Sequence, residues 1–309
     1  VMKTVAIIAV IGIAAIAFMS YNSNSYSLEE TQFRQFIEEY KMNYGTAEEY
    51  EYRFEVFKRN LVEAAEMQKL NPDAEFGITQ FSSWTPEEFK KLLGLKVDES
   101  ELTPYQGEPA GAVSTSNGKD WTGKCGAVRN QGSCGSCWAF SAVGAVEPVF
   151  GKTHLAEQEL VDCDKSSNGC GGGNMATAIK FLCKTKMCSE SEYKYTGRDG
   201  SCKNSKCKNT LSCSTSKSVG GSESSLVSTL NSSPISIGVK ADGWSSYRGG
   251  IMSSCPGPLN HGVVLVQDQG SAWKVRNSWG SSWGESGYVR LARGKGDFCG
   301  VTSFANIAK

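Results

Sequence analysis

Gln131-Gly132-Ser133-Cys134-Gly135-Ser136-Cys137-Trp138 runs straight into Ala139-Phe140-Ser141-Ala142-Val143, and the reading of this junction decides the fold. A loop rich in glycine and serine gives way to an apolar, helix-compatible run, so Cys137 stands at a helix start. A helix N-terminus favours negative charge, and a thiol placed there loses its proton more readily. His261 follows 124 residues later, opening the strand-like run Val263-Val264-Leu265-Val266. Asn277 comes 16 residues further on, in Asn277-Ser278-Trp279-Gly280. A thiol, an imidazole, an amide to orient the ring and a second amide, Gln131, near the thiol are the parts of a cysteine acyl-transfer centre.

Plainer readings exist for each part. Cys134 and Cys137 also have the spacing of a redox pair or half a zinc site. Zinc needs further ligands, and the chain has two histidines and no second C-x-x-C. A thioredoxin-like pair needs a strand before it, whereas Gly126 to Gly135 reads as loop. Counting free thiols separates the cases: the acyl-transfer reading requires Cys134 in a disulfide and Cys137 alone. His154, the other histidine, has no strand-end setting. No metal and no cofactor is expected.

Residues 134–138 read C-G-S-C-W, the local signature of papain and cathepsin nucleophiles. The chain resembles the papain-family cysteine proteases, with cathepsin L/F-like features. The resemblance implies that Cys137 ionises against His261, which then gives its proton to the leaving amine. It implies that Asn277 accepts from the imidazole N–H under the shelter of Trp279. It also implies that the Gln131 side chain and the Cys137 backbone N–H form the oxyanion hole. Gly172 and Gly173 correspond to the bare cleft wall on which an extended peptide pairs. Met175, Gly238, Leu259, Gly262 and Phe304 correspond to the pocket for the second residue before the scissile bond, which is expected to be apolar. Trp279 and Trp283 complete the implied substrate-binding set. No histidine-bearing occluding insertion is present, so an endopeptidase is expected.

Twelve cysteines leave 11 once Cys137 is set aside, so a second thiol is unpaired if the rest pair internally. The resemblance pairs Cys134 with Cys170, Cys163 with Cys202, and Cys255 with Cys299. For the remainder the expectation is Cys183–Cys188 and Cys207–Cys213 as local loops with Cys125 free, pairings of Cys125 with any of them staying open.

Length and composition fit a secreted precursor. Val5 to Phe18 is uncharged and apolar but short for a bilayer span, and Ala15-Ile16-Ala17 offers a small-x-small site. Residues 1–19 are therefore expected to be a signal peptide, 20–109 an inhibitory propeptide with its activation linker, and 110–309 the peptidase domain. In the propeptide, Phe33, Phe36, Ile37 and Tyr40, then Tyr50, Phe54, Phe57, Leu61 and Ala64, recur at helical spacing and give two amphipathic helices. Glu49, Arg53, Val56, Phe57 and Asn60 match the family's propeptide motif E-x3-R-x2-V-F-x2-N, with Ala64 and Gln68 in place of its usual Ile and Asn. Gly77-Ile78-Thr79-Gln80-Phe81-Ser82-Ser83 resembles a second such motif, Ser83 replacing an Asp. Pro104, Gly107, Pro109 and Ser114-Thr115-Ser116-Asn117-Gly118 mark the linker.

The peptidase half reads as α+β: a helical lobe first, then an antiparallel, barrel-like lobe of strands at Ile237–Val239, Val263–Val266, Trp273–Val275 and Tyr288–Leu291. Pro148 is expected to end or kink the first helix early. Val266-Gln267-Asp268-Gln269-Gly270 departs from the family's Val-Gly-Tyr-Gly and is expected to reshape that strand end. The neutral total hides two opposed halves, −8 over residues 1–109 and +8 over 110–309. Electrostatic attraction that weakens in mild acid and in salt is therefore expected between them. Implied partners are protein and peptide substrates, the chain's own propeptide and cystatin-type inhibitors. No nucleic acid is expected, and a monomeric mature form free of the membrane is. The implied setting is the secretory pathway, ending in a lysosome-like compartment or outside the cell.

Overall fold

The computed structural model describes residues 26–108, 118–151 and 154–309. The expected signal peptide and the linker residues 109–117 lie outside the described residues. The chain divides into two compact units, one ending at Lys58 and one beginning at Arg59.

In the first unit, helix α1 (Leu28–Glu39) starts at Ser27, whose hydroxyl accepts from the Glu30 N–H at 3.1 Å. Phe33 and Phe36, three apart and so on one face, are fully buried. Phe33 gathers Tyr50, Phe54 and Phe57 within 5.2 Å of its ring centre, an aromatic knot that makes the helical spacing cohesive. The motif pair Glu49 and Arg53 stands 3.9 Å apart on helix α2 (Ala47–Leu70).

The second unit opens with the last turns of α2. Asn60 donates to the carbonyls of Ser82 and Trp84 at 2.9 and 2.8 Å. Gln68 donates to Ala74 O at 2.7 Å and accepts from the Phe76 N–H at 3.1 Å. The motif's polar positions thus hold the chain that follows, including β1 (Ala74–Phe76), a strand not anticipated from the sequence. Helix α3 (Pro86–Lys90) begins with a reciprocal cap between Thr85 and Glu88.

Beyond the linker come α4 (Cys137–Phe150), α5 (Glu157–Cys163), α6 (Met175–Lys184) and α7 (Glu223–Leu230). The strands are β2 (Ser216–Ser218), β3 (Ile235–Val239), β4 (Tyr247–Met252), β5 (His261–Asp268), β6 (Ala272–Arg276), β7 (Tyr288–Ala292) and β8 (Ala305–Ala308). They form one sheet in the order β1-β4-β7-β6-β5-β3-β8-β2. Two large apolar cores result among the described residues. One gathers the sheet around Trp244, Trp273 and Trp283; the other gathers α4, α5 and α6 around Trp138, Leu160 and Ile179. The α+β, two-lobed expectation therefore holds.

Three details correct the sequence reading. The sheet is not wholly antiparallel, because β4 runs parallel to β7. Pro148 does not end α4, which continues to Phe150 and stops at the left-handed Gly151. The proline falls two residues before the end, so the N–H it lacks and its crowding of the preceding turn disturb only the tail of the helix, and Glu147 beside it is tied into a buried ion pair. The local disulfide loops are also wrong: Cys183 pairs with Cys213 and Cys188 with Cys207. Residues 187 and 209 form an antiparallel bridge, so the two chain segments run past each other and set 188 near 207 and 183 near 213. Cys134–Cys170, Cys163–Cys202 and Cys255–Cys299 are bonded, and Cys125 and Cys137 are free.

Candidate active site

Cys137 is the first residue of α4 and His261 the first of β5. Ser141, one turn into α4, donates to Val263 O at 2.6 Å and so fixes the helix against the strand. With Cys134 bonded to Cys170, the C-x-x-C cannot work as a redox pair. Nε2 of His261 lies 2.8 Å from Asn277 Oδ1. An amide oxygen accepts, so Nε2 carries the proton; Nδ1 has no hydrogen-bond partner among the described residues. The Trp279 ring lies 4.8 Å from the imidazole and is fully buried.

Gln131 is equally fixed. Its Oε1 accepts from Ser278 Oγ at 2.7 Å, which turns its Nε2 outward as a donor. That donor reaches Cys134 O and Leu92 O, each at 2.9 Å.

Leu92 belongs to the segment ahead of the linker, and this segment crosses the site. The Leu95 N–H donates to Asn260 O at 3.0 Å, the Lys96 N–H to Gly173 O at 2.8 Å, and the Gly173 N–H to Gly94 O at 2.9 Å. Leu95 and Gly173 form a parallel bridge. At Gly94 the backbones nearly touch: a Cβ there would stand 1.8 Å from Gly135 O, so only glycine passes. Leu95 is buried in the apolar cluster that holds Met175 and Phe304, with Leu259 against it. Its Cδ2 lies 2.9 Å from where a Cβ on Gly238 would stand. Gly173, Met175, Gly238, Leu259 and Phe304 are thus brought together around one leucine, Gly172 lies against Gly94 and Lys96 beside it, and the Gly262 N–H bears on the Cys137 sulfur.

Upstream, Gln80 donates to Trp279 O at 3.0 Å, and the Phe81 and Phe89 rings meet the Trp279 ring edge-on at 5.3 and 5.2 Å. Trp283 meets the Trp279 ring edge-on at 4.8 Å. It is fully buried behind Trp279, stacked on Trp244 with its N–H on Trp244 O, because its flat, apolar ring completes the sheet's core.

Burial governs the electrostatics of the covered site. It pushes the Cys137 thiol up to about 11, against the pull of backbone N–H groups from Gly262, Gly94, Trp138 and Cys137 itself. It pushes His261 down to about 4, although Asn277 favours the charged ring. Covered by residues 92–96, the pair is held as neutral thiol and neutral imidazole.

One cluster was missed by sequence reasoning. Arg129 reaches Glu147 at 2.5 Å and Glu157 at 2.6 Å, both carboxylates nearly fully buried. Burial pushes Glu157 up to about 7. Charges 18 and 28 residues apart carry no periodic signal that would have revealed it.

Comparison with known proteins agrees with this geometry. Residues 115–308 match the papain family cysteine proteases, and residues 33–89 match the cathepsin propeptide inhibitor domain. Cysteine proteinase 1 of Zea mays is 39% identical, over 90% of this chain and 85% of its own length. Cathepsin L 1 of Paramecium tetraurelia is 38% identical, over 85% of this chain and 87% of its own. The structure of digestive procathepsin L 3 from the larval midgut of Tenebrio molitor superposes with a TM-score of 0.76 at 31% identity, covering 92% of this chain and 99% of that one. The chain belongs to the papain family of cysteine proteases, and it is a thiol endopeptidase made as a zymogen with an inhibitory propeptide.

Proposed function

We propose that Cys137 is the nucleophile, His261 its acid–base partner, Asn277 the group that orients the ring, and Gln131 with the Cys137 N–H the oxyanion hole. In this reading the thiolate adds to the scissile carbonyl, and the oxyanion takes the Gln131 donor that Leu92 O now uses. His261 protonates the leaving amine, and water then cleaves the acyl-enzyme. The observation that carries the reading is the contact of Gln131 Nε2 with Leu92 O at 2.9 Å beside the buried thiol. That contact supports the reading, since a carbonyl already takes the donor proposed for the substrate's oxyanion.

The propeptide comprises residues 20–109 and follows a signal peptide at 1–19; the peptidase domain is 110–309. Activation cuts within the linker and uncovers the pair to water. Opening moves a proton from thiol to imidazole and takes none from solvent, so the pair itself does not make release acid-driven. Hydrogen bonds hold the contact beside the linker. Glu101 accepts twice from Asn174 at 2.9 and 3.0 Å, and Glu108 accepts from the Ser224 N–H at 3.0 Å. Glu75 and Arg248 pair at 3.5 Å with both side chains more than half exposed, a contact that contributes little.

The secretory route, an acidic or extracellular destination, monomeric mature enzyme and cystatin-type inhibitors complete the reading. Among the described residues no helix is long and apolar enough to cross a membrane. Cleavage of a peptide library by acid-activated protein, with a thiol-reactive epoxide as control, tests the proposal. Hydrolysis that survives the epoxide would refute it.

A further inference from the structure

We infer that the outer edge of β4, uncovered when the prosegment leaves, is a seat for an extended segment of protein substrates, separate from the cleft that cleaves them. The inference rests on the zymogen reading above. In the structure β1 lies antiparallel on that edge, with Ala74 opposite Gly250, Glu75 opposite Gly249 and Phe76 opposite Tyr247. The pairing runs past both ends of the strand. Gly77 N–H donates to Ser246 O and Ile251 N–H to Asp73 O, both at 2.8 Å. The N–H groups of Ser253 and Ser254 donate to Asn71 Oδ1 at 2.8 and 2.7 Å. Backbone groups from Ser246 to Ser254 therefore lose these partners on activation, and a row of unpaired backbone groups is a template for another strand.

The edge does not depend on β1 for its shape. Its inner side pairs with β7. The Gly250 N–H donates to Glu285 Oε1 at 2.9 Å, and Tyr247 donates its hydroxyl to Gly250 O at 2.7 Å. Tyr247 in turn accepts from the Arg290 N–H at 3.2 Å, and Arg290 grips Glu285 through two nitrogens. Every one of these contacts stays on the peptidase side, so the seat is preorganised. Gly250 has φ +80°, and a Cβ there would stand 2.6 Å from Ala74 Cα. The backbone is bare where a second backbone must lie flat.

The occupant's chemistry follows from what β1 presents. A small residue faces Gly250, an acidic one reaches Arg248, and an aromatic ring meets Tyr247 edge-on at 6.0 Å. The seat also continues into the cleft. Four residues past Phe76, Gln80 holds Trp279 O beside His261. An unfolded stretch leaving the cleft past Trp279 meets the β4 edge next, and strand addition there raises its effective concentration at the cleft.

The test compares two substrates of the processed enzyme: a short fluorogenic peptide, and the same peptide carrying a flexible Gly/Ser linker and the sequence of residues 71–77. The tagged substrate should show kcat/KM higher by about tenfold through a lower KM. The free 71–77 peptide should abolish that gain without inhibiting the untagged substrate. A tag with Gly77→Pro, which removes the N–H that Ser246 O accepts, or with Phe76→Ala, should lose most of the gain. Equal kcat/KM for the two substrates overturns the inference, as does inhibition of both alike by the free peptide, which would place binding in the cleft. Concentration-dependent dimerisation of processed enzyme that the free peptide dissolves would give the edge to a second copy and also overturn it. Hydrolysis of the untagged substrate reports the Cys137 chemistry by itself. If that chemistry fails, calorimetry of the free peptide with processed protein still decides, and no binding overturns the seat.

Discussion

The Leu92 carbonyl oxygen lies 2.9 Å from Nε2 of Gln131, so the donor proposed for the oxyanion hole is taken by a residue of the chain's own segment ahead of the linker. Two effects then silence the enzyme together. In the proposed mechanism the oxyanion donor is occupied, and Cys137, the proposed nucleophile, is stripped of the water that would help it ionise. Each effect makes its own prediction.

Gln131→Ala in the processed enzyme removes one preorganised donor and leaves the pair intact. We expect kcat to fall by about 10²–10³ with little change in KM. Steady-state kinetics on a short peptide check this; a rise in KM with kcat unchanged would assign Gln131 to binding instead.

Leu95 shows what the neighbouring pocket accepts. Substrates with Leu, Val or Phe second before the scissile bond should exceed those with Arg there, because Met175, Leu259 and Phe304 offer a buried guanidinium no partner. Phe304→Glu should raise tolerance for Arg. A wild-type preference for Arg in a library scan would displace Phe304 from the pocket.

Release of the prosegment should respond little to salt. The described contacts include hydrogen bonds at Glu101 and Glu108 and a weak, exposed pair at Glu75–Arg248. Raising salt at pH 6.5 should barely change inhibition by propeptide 20–109 added in trans, contrary to what opposed net charges alone imply. An inhibition constant that weakens steeply with salt would restore the net-charge account.

Glu157 gives a pH-dependent stability term of definite sign. Burial raises its pKa to about 7, so between the ordinary carboxylate range and that value the folded protein holds a proton the unfolded chain has released. Stability from this group is therefore full in acid and declines as pH rises toward 7, by on the order of 3 kcal/mol at most. Thermal unfolding of Glu157→Gln should show less decline over that range than wild type. Parallel curves would mean Arg129 keeps Glu157 ionised throughout.

The sequence was most legible where local chemistry is self-contained. Cys137 at a helix start and His261 at a strand head followed from neighbouring residues, as did the aromatic spacing of α1 and α2, whereas the roles given to Gln131 and Asn277 came from the family resemblance. What failed depends on distant partners. β1 is three residues long and exists because β4 offers it an edge. The disulfides of Cys183 and Cys188 follow an antiparallel crossing that sequence proximity hides. Trp283 sits in a motif with Trp279, yet only packing decides that one ring meets the imidazole and the other lies behind it. Pro148 disrupts less than expected because it falls in a final turn.

The central claim is that residues 92–96 hold Cys137 as an unreactive neutral thiol. The most direct measurement is the rate of Cys137 carboxymethylation against pH, read by mass spectrometry on the intact zymogen and on processed enzyme, with buried Cys125 as internal reference. The account predicts slow reaction in the zymogen from pH 6 to 8, rising only as pH approaches about 11, and fast reaction in processed enzyme already at pH 6. Equal rates before and after processing, with Cys125 silent in both, would contradict it.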